Sequence, residues 1–132
     1  MKPVDQTIFG TPHGNCFAAC IASILELPIE EVPNFIAEGD RWWDAAKAWL
    51  DERGYALLWV KHDAVRCGYL DPNPLIDAGH YFIVCGTSPR CDSLHSVVNH
   101  YGKMVHDPHP SRDGFVGEWE SFIVIIPNTL AA

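Results

Sequence analysis

Helical patterning fills the first part of this chain and strand patterning the rest, and that order is the strongest constraint on its fold. In GNCFAACIASILELP, residues 14–28, Phe17, Cys20, Ile21, Ile24 and Leu25 recur at the spacing of one buried helical face. Asn15 suits the N-cap and Pro28 the far boundary, which places Cys16 at the first helical position. Residues 29–40 predict a short helical turn and a loop. A second helix is expected in DRWWDAAKAWLDERG, with Asp40 as its N-cap, Gly54 as its stop and an apolar stripe of Trp42, Ala45, Ala46, Trp49 and Leu50. Strand-like runs follow in YALLWVKH, HYFIVCG, LHSVVNH, KMVHD and SFIVIIP, and residues 63–79, with Gly68, Pro72, Pro74 and Gly79, read mostly as loop. Helices first and strands afterwards is the α+β arrangement, an N-terminal helix packed on a mainly antiparallel sheet.

Length and charge narrow the class. At 132 residues, 48% hydrophobic, the chain suits one domain over 1–132 with a sizeable core. Its net charge of −8, with 9 scattered basic residues, argues against nucleic acid as a partner. No apolar run approaches the ~18 residues of a membrane span, and MKPVDQTIFG lacks the apolar stretch of a signal peptide. Five cysteines, an odd number without a CxxC pair, predict free thiols in a reducing cytoplasm.

Cys16 is the cysteine that position singles out. A helix N-terminus leaves backbone N–H groups unpaired and carries partial positive charge, which stabilises a thiolate and can hold an oxyanion. Cys20, one turn on, reads as ordinary core. A nucleophilic thiol needs a base, and seven histidines make proximity alone uninformative. The discriminating test is whether local structure delivers a carboxylate to one of them. HSVVNHYGKMVHDP reads as a β-hairpin reversing near Tyr101 and Gly102. A two-residue turn sets Ser96 opposite Asp107 and His95 opposite Pro108; a three-residue turn including His100 sets His95 directly opposite Asp107. On the second register Asp107 orients the His95 imidazole and leaves its other nitrogen for Cys16. His80, which also opens an apolar strand, is the rival base, with only Asp77 nearby. His13 lies close before Cys16 in a turn, His106 and His109 are expected to face solvent or loop, and His62 and His100 to lie on the surface. Gln6, the only glutamine, is the candidate oxyanion donor.

GNCFAACIASILELP, LHSVVN and HDPHPS, in that order, resemble the papain-like cysteine peptidase superfamily. The likeness is to its small bacterial and phage-encoded members, similar to bacteriocin-processing (double-glycine leader) peptidases. The resemblance runs from Gln6 to the final strand. It implies the papain-like fold, a thiol hydrolase cutting a peptide or other amide bond, and Gln6, Cys16, His95 and Asp107 as catalytic residues. It also implies a peptide or protein substrate and no cofactor.

Three other readings compete. One is a peptidoglycan amidase with a similar Cys–His core. Another is a catalytically silent module that binds a protein through the Trp42/Trp43 helix, since adjacent tryptophans point in different directions on a helix. The third is a metal site. His106, Asp107, His109, Cys85 and Cys91 are ligand types that zinc accepts, but their spacing matches no closed pattern, so no metal is expected.

Overall fold

The strands are β1 (Tyr55–Lys61), β2 (Tyr81–Thr87), β3 (Leu94–His100), β4 (Lys103–His106) and β5 (Val116–Pro127). In the computed structural model, which describes residues 1–10 and 14–128, they form a five-stranded sheet in the order β1-β5-β2-β3-β4. Every neighbouring pair is antiparallel. The architecture is α+β.

The apolar runs of β2 and β5 are continuous because both faces of the sheet are covered. Side chains alternate across a strand, so Ile83, Cys85, Ile123 and Ile125 enter one core while Phe82, Val84, Phe122 and Val124 enter another. Helices α1 (Cys16–Leu25) and α2 (Trp42–Asp51) cover the first face. The second is covered by α3 (His62–Arg66), α4 (Asn73–Asp77) and the aromatic residues Phe115 and Trp119.

Helix α1 begins at Cys16 as expected, but it is buried all round from Phe17 to Ser23 rather than along one face. The N-terminal lead-in explains this. Lys2 N–H donates to the Ser23 carbonyl at 3.0 Å, and Val4 N–H to the Ser23 hydroxyl at 2.9 Å, so the extended chain covers the helix's outer side. Asn15 occupies the N-cap position without capping the helix. Its Oδ1 instead accepts from Thr7 N–H and Ile8 N–H, both at 2.9 Å, and ties the lead-in to the helix start. The helix stops at Leu25, ahead of Pro28, where Glu26 turns left-handed at φ 59°.

Elsewhere the elements shift. Residues Phe35–Arg41 form 3₁₀ turns broken by a kink at Gly39, φ 66°, so α2 starts at Trp42 and Asp40 is not its cap. The segment expected to be mostly loop carries α3 and α4, each 5 residues long. Strand β5 begins at Val116 rather than at Ser121. Trp42 and Trp43 do not diverge as adjacent helical residues were expected to. Trp59 on β1 packs against both, edge-on to Trp42 and tilted on Trp43, at ring-centre distances of 5.2 and 4.9 Å. No helix among the described residues is long and apolar enough to cross a membrane.

Candidate active site

The site is assembled where the start of α1, the start of β3 and the segment after β4 meet. The β3–β4 hairpin decides its geometry. Tyr101 and Gly102, with φ of 51° and 79°, form a two-residue turn, and His100 pairs with Lys103 and Asn99 with Met104. Left regular, that register would put Ser96 opposite Asp107, with His95 and Asp107 on opposite faces. The ladder then slips, and Val98 pairs with His106, leaving Val105 as an extra residue on β4. A one-residue slip exchanges the faces of everything beyond it. Carried one residue on, the new register sets Asp107 opposite Val97, on the same face as His95 and diagonal to it. Neither regular turn produces this arrangement; the bulge does.

His95 Nε2 and Asp107 Oδ1 are 2.6 Å apart, with the residues 4% and 1% exposed. Asp107 also accepts from His109 N–H at 2.9 Å and Gly114 N–H at 2.7 Å. Burial opposes its charge, but the hydrogen bonds from His95, His109 and Gly114 outweigh that and hold its carboxyl below the ordinary value. Arg112 fastens the turn from outside, donating to the Asp107 carbonyl and to both carboxylate oxygens of Asp5.

With Nε2 engaged by Asp107, Nδ1 of His95 is the ring nitrogen left for a second partner, and the Cys16 thiol lines the same cleft. Burial works against a Cys16 thiolate. The His95 hydrogen bond and charge, with hydrogen bonds from the Ser96 backbone and hydroxyl, outweigh it and bring the thiol below its ordinary value. Burial likewise opposes charge on His95, while Cys16 and Asp107 raise its pKa. The two shifts favour a thiolate–imidazolium pair.

The other cysteines differ. Burial raises Cys20 strongly and pushes Cys85 up to about 11. Cys91 is exposed, and hydrogen bonds from Ser93 lower it.

The first intrahelical bond runs from Ala19 N–H to the Asn15 carbonyl at 3.0 Å, so the N–H groups at 16–18 have no acceptor within the helix. Gln6, 6% exposed, is anchored by its N–H bond to the Pro108 carbonyl, 3.0 Å, and its neighbours Thr7 and Ile8 are tied to Asn15 at the helix start. Gln6 Nε2 donates to the Ile8 carbonyl at 3.0 Å, which fixes the amide and leaves a second amide hydrogen. Its Oε1 is buried without a hydrogen-bond partner among the described residues. Gly14 permits the close turn behind Cys16: a Cβ there would lie 2.7 Å from the Gly10 carbonyl oxygen.

Cys16, His95 and Gln6 all line one cleft of about 700 Å³. Phe17, Ile36, Trp42, Trp59 and Ile123 make its apolar arm, and Gly10, Ser88, Arg90, Leu94 and His109 another. Ser96, Trp59, Arg90 and His109 were missed by sequence reasoning. Only Ser96, adjacent to His95, carried a local signal.

The remaining histidines lie elsewhere, with one exception. His80 lines a separate cavity with Tyr55 and Tyr81 and does not line the cleft that holds Cys16. His13 lies outside the described residues. His106 is buried rather than facing solvent, its Nε2 donating to the Val4 carbonyl at 2.9 Å. His100 is half-buried and stacked on Tyr81 at 4.1 Å, because β2 and β3 pair those residues directly. His62 lies by Glu118 and Trp119. The exception is His109, whose ring stands edge-on to that of His95 with centres 6.2 Å apart. Among the described residues no group of three or more His, Cys, Asp or Glu side chains is arranged to hold a metal ion.

No family model, curated protein or solved structure matches the chain.

Proposed function

We propose that the protein is a thiol hydrolase that cleaves a peptide or other amide bond, with Cys16 as nucleophile, His95 as acid–base and Asp107 as its orienting carboxylate. The observation that carries this reading is the His95 imidazole, held through Nε2 by Asp107 at 2.6 Å in the cleft that Cys16 also lines, where thiol and ring draw each other toward thiolate and imidazolium. The resemblance to papain-like peptidases rests on the same residues and order, and it suggests that fold for the helix and sheet.

In this reading the Cys16 thiolate attacks the amide carbonyl carbon and the carbonyl oxygen becomes an oxyanion. The backbone N–H of Cys16 and the free amide hydrogen of Gln6 stabilise it. The His95 imidazolium gives its proton to the amide nitrogen, the C–N bond breaks, the amine leaves and a thioester remains. Water then attacks the thioester carbonyl, His95 takes one of its protons, the C–S bond breaks to return the thiolate, and the carboxylic acid product gives its remaining proton to solvent as it leaves. Asp107 stays ionised throughout and holds the ring in the tautomer this requires.

The test is hydrolysis of a mixed peptide pool followed by mass spectrometry, with muropeptides in parallel. Cleavage by the wild-type chain and none by Cys16→Ala supports the proposal. No cleavage, with Cys16 no more reactive to iodoacetamide than Cys67, sinks it and leaves the binding-module reading.

A further inference from the structure

The cleft carries a cation that forms no ion pair among the described residues. Arg90 lines it, on the arm that includes His109, and donates through Nη1 to the Ser111 hydroxyl at 3.1 Å. Ser111 Oγ also lies 2.9 Å from His109 Nδ1, so Arg90, Ser111 and His109 form one chain leading to the ring beside His95. Among the described residues no carboxylate forms an ion pair with Arg90, although the chain has 17 acidic residues against 9 basic ones. Asp92 and Asp113 are close in sequence to this arm but do not line the cleft. The cleft's other fixed cation, Lys61, shares its arm with Glu120 and lies over the Trp59 ring. Arg90 is therefore a cleft cation without an ion-pair partner among the described residues, while Asp107 and Asp113 act on His109 beyond it.

The chemistry says which part of a substrate meets that arm. In amide hydrolysis His95 must hand its proton to the departing nitrogen, so the leaving portion lies over the imidazole. His109 and Arg90 continue from that side. We infer that the Arg90 arm binds a carboxylate on the leaving-amine portion of the substrate, within a residue or two of the scissile bond, and that Arg90 is a specificity-determining residue. Arginine suits this task because its planar fork matches a carboxylate. Its charge already acts on its neighbour in the arm, adding to the burial that lowers the His109 imidazole. A neutral His109 leaves Arg90 as the arm's binding charge. The inference rests on the thiol-hydrolase reading and names its substrate class: peptides whose leaving side carries a free C-terminal carboxylate or an acidic side chain.

The test reads the cleft without needing a known substrate. N-iodoacetyl-glycine and its uncharged partner N-iodoacetyl-glycinamide both alkylate a thiol by displacement of iodide, and differ only in the carboxylate. Their labelling rates at Cys16, followed by peptide mapping in a Cys91→Ser chain, give a charge-preference ratio. The expected ratio is about fivefold in favour of the carboxylate at low salt, falling toward one at high salt. Arg90→Gln should bring it to about one, Arg90→Lys should retain part of it, and Lys61→Gln should leave it in place. A third reagent, N-iodoacetyl-aspartic acid with its terminal carboxylate amidated, separates an acidic side chain from a chain terminus; a preference for either charged form supports the inference. A wild-type ratio near one, a ratio unmoved by Arg90→Gln, or one that collapses in Lys61→Gln overturns it. Plain iodoacetamide, measured alongside, scores the underlying thiol reading separately.

Discussion

Asp107 grips His95 at 2.6 Å although the strand ladder aims it at Val97, and the extra residue Val105 is what makes that diagonal reach possible. The bulge converts a register that would separate the two side chains into one that puts both on the same face.

Deleting Val105 should therefore undo the pair, while Val105→Ala should be tolerated, since the side chain is 44% exposed. Circular dichroism is expected to show a retained sheet in both. Rapid alkylation of Cys16 should survive only in the substitution. Equal reactivity in the two variants would remove the bulge from the account.

The Cys16–His95 pairing has a pH signature. Because the thiol is held below its ordinary value, iodoacetamide should label Cys16 at pH values where an ordinary cysteine is still protonated. In His95→Ala the partner is gone and burial acts on the thiolate against Ser96 alone, so the rising limb should move upward. The measurement belongs in a Cys91→Ser chain, because Cys91 is exposed and also lowered. A limb that stays in place would show that His95 does not activate the sulfur.

Asp107 links the site to stability. Its folded carboxyl lies below the unfolded value of about 3.9. It therefore contributes stability in full above roughly pH 4, and that contribution is lost as pH falls through the depressed value. Urea midpoints should drop below pH 4 in the wild-type chain. Asp107→Asn should be less stable at pH 7 and flatter in acid, because an amide presents hydrogens where N–H donors already point. Its activity should fall by roughly 10²- to 10⁴-fold. An acid profile identical to wild type would count against an ionised Asp107.

On the proposed mechanism, a Gln6 variant should separate oxyanion binding from thiol activation. Gln6→Ala should lower the hydrolytic rate by about 10²-fold while Cys16 alkylation, which forms no oxyanion, keeps its rate and pH profile. Parallel losses in both assays would make Gln6 a structural residue of the lead-in.

Gly86 pairs with His95, and a Cβ there would lie 2.4 Å from the Phe115 ring. Gly86→Ala should cost about 1–3 kcal/mol by overpacking, and Phe115→Ala in the same chain should recover part of it. Thermal unfolding of the three variants checks this.

How far the site could be read in advance follows from the range of the forces involved. Cys16 at a helix start was legible because apolar spacing and the Gly14–Asn15 stop are local, and β3 was legible end to end. The pairing of His95 with Asp107 was anticipated, yet through a turn that does not form. Tyr101–Gly102 does make the two-residue turn, and the bulge that rescues the pair left no mark in KMVHD. Arg112, which clamps Asp5 to the Asp107 turn, and Trp59, which joins Trp42 and Trp43, lie far in sequence from what they touch. No local pattern announces such contacts.

By itself, then, the order of residues determined the α+β succession and the sulfur poised at a helix start. These depend on hydrogen bonds and apolar periodicity among near neighbours. Which face of the sheet receives Asp107, and that Gln6 and Arg90 border the same cleft, were settled only by tertiary structure. A bulge and a docked N-terminal strand gain their energy from partners distant in the chain.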